Sequence, residues 1–495
     1  GARRRRGLRA GRSGARGPAD IIAGLNATAP STRPPGAEAA APPRSARVAL
    51  SGWGRLSREA SAVYRPETWS ALSAALLGAP ERTVIPRGLG RSYGDPAVNG
   101  GGAVVLAEKL GRLLAFDPEG GTVTCEGGAS LARLLSFLVP RGFFLPVVPG
   151  TRFVTVGGAI AADVHGKNHH VDGTFGRHLE ELTLLTAAGE TLRCSHSENA
   201  GAFEATVGGM GLTGVVLSAR LRLLPIETPL VKVVRRRTAG LDETLARLEE
   251  EERLGRYSVA WVDGLARGRS LGRGVLMRGD HLPAAELPRG RDGRGALPEE
   301  TGPSVPLDAP AFLLGPASVS AFNALYYAAG REGTSLSPLG PFFFPLDAVG
   351  AWNRLYGRRG FVQYQALLPR ETAAEGCRLL LEEFSRERAA SFLAVLKTTG
   401  PEGRGLLSFP RSGVTLALDV PNLGERLRPL ARRLDAILLR LGGRLYLAKD
   451  ALTDAASFAA MYPRLPEFRA ARRRLDPEGR FSSSQARRLG LAEAP

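Results

Sequence analysis

The sequence predicts an α+β fold, and three observations carry that prediction. Short apolar segments of strand length recur between turns, with helical stretches set among them in no regular strand–helix alternation. A glycine-rich stretch, Thr83 to Gly102, leads out of one apolar run and into another strand, Ala103 to Leu106, where a nucleotide-binding βαβ unit would open a helix. Hydrophobic residues make up 43% of 495 positions, enough for large cores in about three domain-sized units.

Residues 1–47 combine Arg, Ala, Pro and Gly without apolar period and are expected to be a disordered basic leader. They hold ten arginines against Asp20 and Glu38, so +8 of the net charge of +18 lies there. The Arg3 to Arg6 run is followed by no apolar stretch of signal-peptide length. No aromatic residues interleave with these arginines to stack bases, which argues against a nucleic-acid arm, although a basic nucleic-acid-binding protein stands as the reading from another class. No stretch reaches the roughly 18 apolar residues that a transmembrane helix needs.

Folding is expected to begin near Val48. Ser51-Gly-Trp-Gly and a helix over 67–77 lead into the first glycine loop. There Gly88, Gly90 and Gly94 are spaced G-x-G-x-x-x-G, one residue longer than the dinucleotide fingerprint, and a backbone free of Cβ atoms closes readily around an anion. Next come a strand Thr122 to Glu126, a helix Ser130 to Val139 and a strand Phe144 to Val148. A second glycine-rich segment runs from Pro149 to His170, and its small residues Gly157 to Ala162 suit a helix start packed close to a flat ligand. Strands are expected at Leu182 to Thr186, Glu190 to Cys194 and Ser218 to Leu224, the last after Gly208-Gly-Met-Gly-Leu-Thr-Gly.

Few residue types stand out chemically. Of 66 basic residues only five are lysines (Lys109, Lys167, Lys232, Lys397, Lys449), so each surviving lysine is more informative than any arginine. Cys125, Cys194 and Cys377 form no Cys-x-x-Cys pair, which predicts neither a disulfide framework nor a zinc site and fits a reducing compartment. His165 and His169 have metal-ligand spacing on a helix, but Gly166 and Asn168 argue for a turn and no third ligand is suitably placed, so no metal is expected.

Three strings, RGLGRSYGD, PGTRFVTVGGAIAADVHGKNHH and GGMGLTGVV, occur in that order. Together they resemble the flavin-binding half of the vanillyl-alcohol-oxidase (PCMH-type) FAD oxidoreductases, and in particular the branch that oxidises the 2-hydroxyl of a polyprenylphosphoryl ribose on the way to cell-wall arabinan precursors. The resemblance runs from about Leu50 to Leu491. It implies an FAD-binding domain over 48–225, a substrate cap on an antiparallel sheet over 226–443, and a return to the FAD domain over 444–495. It further implies that Arg87, Gly88, Gly90, Arg91, Ser92, Tyr93 and Gly94 hold the FAD pyrophosphate, and that Gly150, Thr155, Val156, Gly157, Gly158, Ala162, His165, Gly166, Val215 and Tyr446 complete the flavin site. Relatives with covalent FAD carry a histidine before the Ser-aromatic pair; Arg91 stands there in this chain, which implies non-covalent FAD.

In the cap, Tyr257 to Asp263 reads as a strand that the resemblance places at the substrate through Trp261, and Pro283 to Pro310 reads as a mobile loop. Gln363 and Gln365 share a strand face by period two and suit sugar hydroxyls. Lys167 and Lys397 join them as substrate contacts by resemblance, with Thr415 and Ala417 where mycobacterial members show Asn and Cys and Thr399 where an aromatic is usual. Lys449 and Tyr446 are the implied catalytic pair, with His165 the competing base. The expected partners are a polyprenyl-phosphate sugar and a separate NAD(P)H-dependent reductase, with peripheral membrane contact and a cytoplasmic or envelope-associated location. A sugar-alcohol or aldonolactone oxidase using dioxygen is the alternative enzyme.

Overall fold

A computed structural model describes residues 44–290, 295, 297–389 and 392–491; most of the expected leader lies outside the described residues. Two small sheets and one large one organise the chain. The first is β1 (Ala46–Leu50), β2 (Glu59–Tyr64), β3 (Val84–Arg87) and β4 (Ala103–Leu106) in the order β1-β2-β4-β3, with β4 parallel to both neighbours. A strand flanked by parallel partners is covered on both faces, and Ala103-Val-Val-Leu106 is buried throughout. The second sheet takes β5 (Leu113–Asp117), β6 (Thr122–Glu126), β8 (Leu179–Leu185), β9 (Thr191–Ser195) and β10 (Val215–Arg222) in the antiparallel order β5-β6-β10-β8-β9. The strand expected over 144–148 shrinks to β7 (Phe143–Phe144), paired only with β11 (Leu224–Pro225), because Pro146 lacks the N–H that a ladder needs.

Eight strands form the third sheet: β12 (Leu230–Thr238), β13 (Tyr257–Val262), β14 (Gly274–His281), β15 (Gly333–Pro338), β16 (Phe361–Pro369), β17 (Ala394–Thr399), β18 (Gly413–Pro421) and β19 (Arg444–Leu445). Their order is β15-β12-β14-β13-β17-β18-β16-β19 and every pairing is antiparallel. Helices Leu241–Leu254, Ala373–Arg386 and Leu427–Arg440 cover one face. Their apolar stripes, such as Cys377, Leu380, Leu381 and Phe384, repeat at helical spacing and are fully buried. The opposite face of β13, β16, β17 and β18 is left for the cavity described below. Lys397 lies within β17, and Tyr446 follows directly on the last strand of this sheet, so the sheet continues past residue 443.

The chain end closes back on the first sheet. Phe481 bridges Val84 in parallel, and Arg488 pairs with both Asp95 (2.7 Å) and Asp450 (2.9 Å), clamping the first glycine loop to the turn after β19. The segment expected to be a mobile loop, 283–310, is tied to the body where described: Arg152 donates to the Glu300 carbonyl (2.9 Å), Val305 N–H to Gly350 O (2.8 Å), and Arg55 pairs with Asp308 (2.6 Å).

Candidate active site

Between the glycine loops and the bare face of the large sheet lies a cavity of about 390 Å³. Gly88 and Gly90 line it from the first loop, Gly150, Gly157 and Gly158 from the second, and Gly211 and Gly214 from the third. Close packing explains the absence of a side chain at Gly88. A Cβ on Gly88 would stand 2.2 Å from Thr155 Oγ1, and Thr155 is needed where it is: it accepts the Gly158 N–H and caps the helix Val156–Ala161. The two loops therefore meet backbone against cap, with Gly157 N–H on Gly127 O (2.7 Å) and Gly158 N–H on Thr155.

Arg91 lines the same end, its guanidinium 4.0 Å above the Trp53 ring, with a buried Nε that finds no acceptor. An unpaired buried guanidinium N–H is costly, and a pyrophosphate is the acceptor that would satisfy it. These residues fit FAD: glycine amides and Arg91 for the phosphates, small residues Ala161 and Ala162 and apolar Val215 for a flat ring system.

The sheet side is assembled by register. Gln363 pairs with Asp419, Gln365 with Ala417, Lys397 with Thr415, and Val395 with both Ala417 and Trp261. Directly paired residues share a face, so four strands distant in sequence present Trp261, Gln363, Gln365, Lys397 and Ala417 to one cavity. His165 enters from the second glycine loop and is buried among them. Gln365 lies 3.0 Å from its Nε2 and Lys397 Nζ 3.5 Å from its Nδ1. A neutral imidazole offers one donor and one acceptor, so an ammonium on Nδ1 leaves Nε2–H to donate to the Gln365 carboxamide oxygen, an orientation reached by flipping the amide. Burial, reinforced by Lys397, holds the His165 pKa well below its ordinary value, which keeps the ring neutral.

Lys449 sits in the tight turn after β19, where its own N–H donates to Tyr446 O (2.9 Å). Its Nζ lies 3.7 Å over the Tyr93 ring. Tyr93 N–H in turn donates to Ala448 O (3.0 Å), so the first glycine loop and the lysine turn hold each other in place. Burial pushes the Lys449 ammonium pKa down, Asp419 opposes that shift, and Lys397 adds to it. Asp419 is itself pushed up by burial, although Gln363 Nε2 (2.6 Å) and Tyr356 OH (3.1 Å) both donate to it. Lys397 is lowered by burial to about 8, and Lys167 to about 7 by burial and by Lys397. Three of the five lysines thus face one cavity with their charged forms disfavoured, a concentration expected of a site that handles protons or anions.

Several sequence-predicted residues sit elsewhere. Val156 is fully buried in the core behind the loop, and Gly94 packs against the Asp450 carbonyl, where a Cβ would stand at 1.9 Å; neither lines the cavity. Thr415 stands behind Gln365, its hydroxyl 3.2 Å from the same amide atom that meets His165, so it orients that amide without reaching a ligand. Tyr446 lines the cavity, but its hydroxyl donates to Ala162 O (3.0 Å) and burial pushes its pKa far up. It anchors the second glycine loop, and its hydroxyl proton is committed to that bond. Thr399 is buried with its hydroxyl on Arg411 O (2.6 Å), and His169 Nδ1 accepts the Gly400 N–H (2.9 Å), so both serve the local fold. Trp261 donates its Nε1–H to Phe392 O (2.8 Å) and packs on Tyr326, giving the cavity a fixed aromatic wall. The remaining predicted site residues, Arg87, Ser92 and Gly166 among them, all line the cavity.

Asp419 and Tyr326 are the residues that sequence reasoning passed over. Asp419 was reachable: it follows Thr415 and Ala417 at strand spacing, on the same face. Tyr326 had no local signal, because its helix Pro316–Ala329 reaches the cavity only through the tertiary fold.

Glycine loops around a flavin-sized cleft, with buried ionisable groups opposite them, define a flavin-dependent oxidoreductase. In keeping with that, residues 60–195 match the family model described as an FAD binding domain and residues 425–489 match that of D-arabinono-1,4-lactone oxidase. Decaprenylphosphoryl-β-D-ribose oxidase of Mycolicibacterium smegmatis is 39% identical over 458 residues, which cover 89% of this chain and 97% of that protein. Alditol oxidase of a Streptomyces species is 26% identical over 89% of this chain and 99% of that protein, and L-gulonolactone oxidase of Bos taurus is 36% identical over 28% and 31%. The chain belongs to the decaprenylphosphoryl-β-D-ribose oxidase family of FAD-dependent oxidoreductases. Among the described residues, no helix is long and apolar enough to cross a membrane.

Proposed function

We propose that this enzyme oxidises the 2-hydroxyl of a polyprenylphosphoryl ribose to the 2-keto sugar, the first half of an epimerisation completed by a separate NAD(P)H-dependent reductase. The observation that carries the reading is the convergence of Lys167, Lys397 and Lys449 on one cavity beside two amides and a neutral imidazole. The substrate named for the mycobacterial relative has the matching chemistry, a sugar ring with hydroxyls and a phosphate diester.

Bound FAD supplies the hydride acceptor. Oxidation of a carbinol also requires its hydroxyl proton to leave, and Lys449, with its pKa pushed down by burial, takes that proton as the neutral amine and then stabilises the developing alkoxide as the ammonium. Gln363 and Gln365 hold sugar hydroxyls, with Asp419 and Thr415 fixing the two amides from behind. Lys397 and Lys167 carry the charge that meets the phosphate, and a bound phosphate restores their ammonium forms. Lys167 is held for this by the Phe342 carbonyl and the face of the Phe342 ring, 4.3 Å away. His165 keeps Lys397 and Gln365 in register across the cavity floor. Arg91 cannot form the 8α-histidyl bond, so FAD is held non-covalently; flavin that stayed with acid-precipitated polypeptide would contradict this.

Anaerobic addition of a short-chain prenylphosphoryl ribose is expected to bleach the visible flavin absorbance, while free alditols and aldonolactones bleach it far more slowly. The reverse order of rates would favour the alditol-oxidase reading, which the match of residues 425–489 keeps in play.

A further inference from the structure

From Ala309 to Gly330 the chain carries 22 consecutive residues without Asp, Glu, Lys or Arg, in a protein whose charged residues make up 23% of the whole. This stretch does not form core. Its helix, Pro316–Ala329, docks by a narrow stripe: Val319 and Asn323 are buried, the latter donating to Asp263 (2.8 Å), and Tyr327 lies next on the same line. The rest faces outward, including Phe322 (47% exposed), Leu325 (72%) and Tyr326 (39%), with Leu313 (50%) from the preceding turn and Leu307 (76%) just before it. A helix that is apolar on nearly every side belongs in an interior, and an exposed one implies something that covers it.

Two further observations say what covers it. Arginines outnumber acids on both sides: Arg55, Arg354 and Arg358 surround Asp308 before the stretch, while Arg237, Arg273 and Arg331 lie after or beside it, with Asp263 paired to Arg273 (2.8 Å) and Glu332 accepting the Arg237 N–H (3.2 Å). Apolar side chains between arginines complement an anionic lipid surface, with rings at headgroup depth and cations on the phosphates. The patch is also continuous with the cavity, because Tyr326 lines the cavity beside Trp261 (4.6 Å between ring centroids) and stacks on the exposed Phe322 (6.0 Å). A prenyl chain leaving the cavity past Trp261 and Tyr326 would run directly onto Phe322 and Leu325.

We infer that Leu307 to Ala329 is a bilayer-docking surface that sets the cavity mouth against an anionic membrane, so that a lipid-linked substrate enters with its prenyl chain still in the lipid. The route of substrate entry rests on the reading proposed above; the docking does not.

The test uses the flavin-loaded protein and vesicles of equimolar phosphatidylglycerol and phosphatidylcholine. The parent is expected to sediment with them, and the double variant Phe322→Ser/Leu325→Ser to partition at least about tenfold more weakly with its flavin content unchanged. Because Cys125, Cys194 and Cys377 are all buried, a Leu325→Cys variant takes an environment-sensitive fluorophore at one site, and vesicles should shift its emission to the blue. That measurement decides the question even if the serine variant fails to fold. A parent that ignores the vesicles, a label that does not shift, or a parent that forms a dimer lost in the serine variant would overturn the inference, the last by making the face a contact between copies. With a long-chain substrate in vesicles the serine variant should turn over at least about tenfold more slowly, and with a water-soluble short-chain analogue at the parental rate. If the parent binds vesicles but no phosphoprenyl sugar bleaches its flavin, the substrate reading fails and the docking surface stands.

Discussion

On the loop side of the cavity, glycine leaves the backbone itself as the lining, and segments distant in sequence hold one another in place, Gly88 against Thr155 and Tyr93 N–H on Ala448 O (3.0 Å). On the sheet side they are long ionisable or amide side chains from β13, β16, β17 and β18, brought together across more than 150 residues by strand register. The loop wall is sterically tight where Gly88 closes on Thr155, and Gly94 behind it closes on the Asp450 carbonyl. The sheet wall is electrostatically tense, with three lysines, a carboxylate and an imidazole buried close together. Tight steric fit suits a cofactor that stays put, while shifted ionisation suits a substrate whose proton must move.

Lys449→Met tests the sheet wall most severely. Removing a general base typically costs on the order of 10²- to 10⁴-fold in rate, so stopped-flow flavin reduction should fall by that much while bound FAD stays at the parental level. Parental bleaching in the variant would return the base role to His165 or Lys397.

The loop wall is challenged by Gly88→Ala, which drives a methyl group into Thr155. Overpacking of about 1–3 kcal/mol predicts roughly tenfold to a hundredfold weaker FAD binding, read by fluorescence titration of the apoprotein. The two walls are separable if this variant, saturated with FAD, still reduces at near the parental rate.

Asp419→Asn probes how the sheet wall sets its pKa values. The base must be neutral, so reduction rate rises with pH through the Lys449 pKa; Asp419 holds that pKa up, and neutralising it lets the pKa fall. The acid limb of the pH profile should therefore move down by about one unit, whereas a purely structural aspartate would lower the rate at every pH alike.

The smallest effect is expected from Thr155→Ala, which removes the cap on Gly158 N–H but no contact with the sheet wall. It should cost about 1 kcal/mol in thermal stability, with the pH profile unchanged.

The sequence by itself determined the loop wall. Gly88, Gly90, Gly157 and Gly158 were legible because a cradle made of backbone is written locally, as glycine spacing and a Thr at the helix start, even though the two loops meet only in the tertiary fold. It also marked the rare lysines and put Gln363 and Gln365 on one face by period two. What only the tertiary structure decided was which of these residues meet and in what state of charge. Register across β16, β17 and β18 paired Lys397 with Thr415 and Gln363 with Asp419. The turn at Tyr446 committed that hydroxyl to Ala162, and an uncharged helix brought Tyr326 to the cavity mouth. Strand pairing joins residues as far apart as Trp261 and Val395, and a pKa depends on burial among all of them, so neither is encoded in any local stretch of chain.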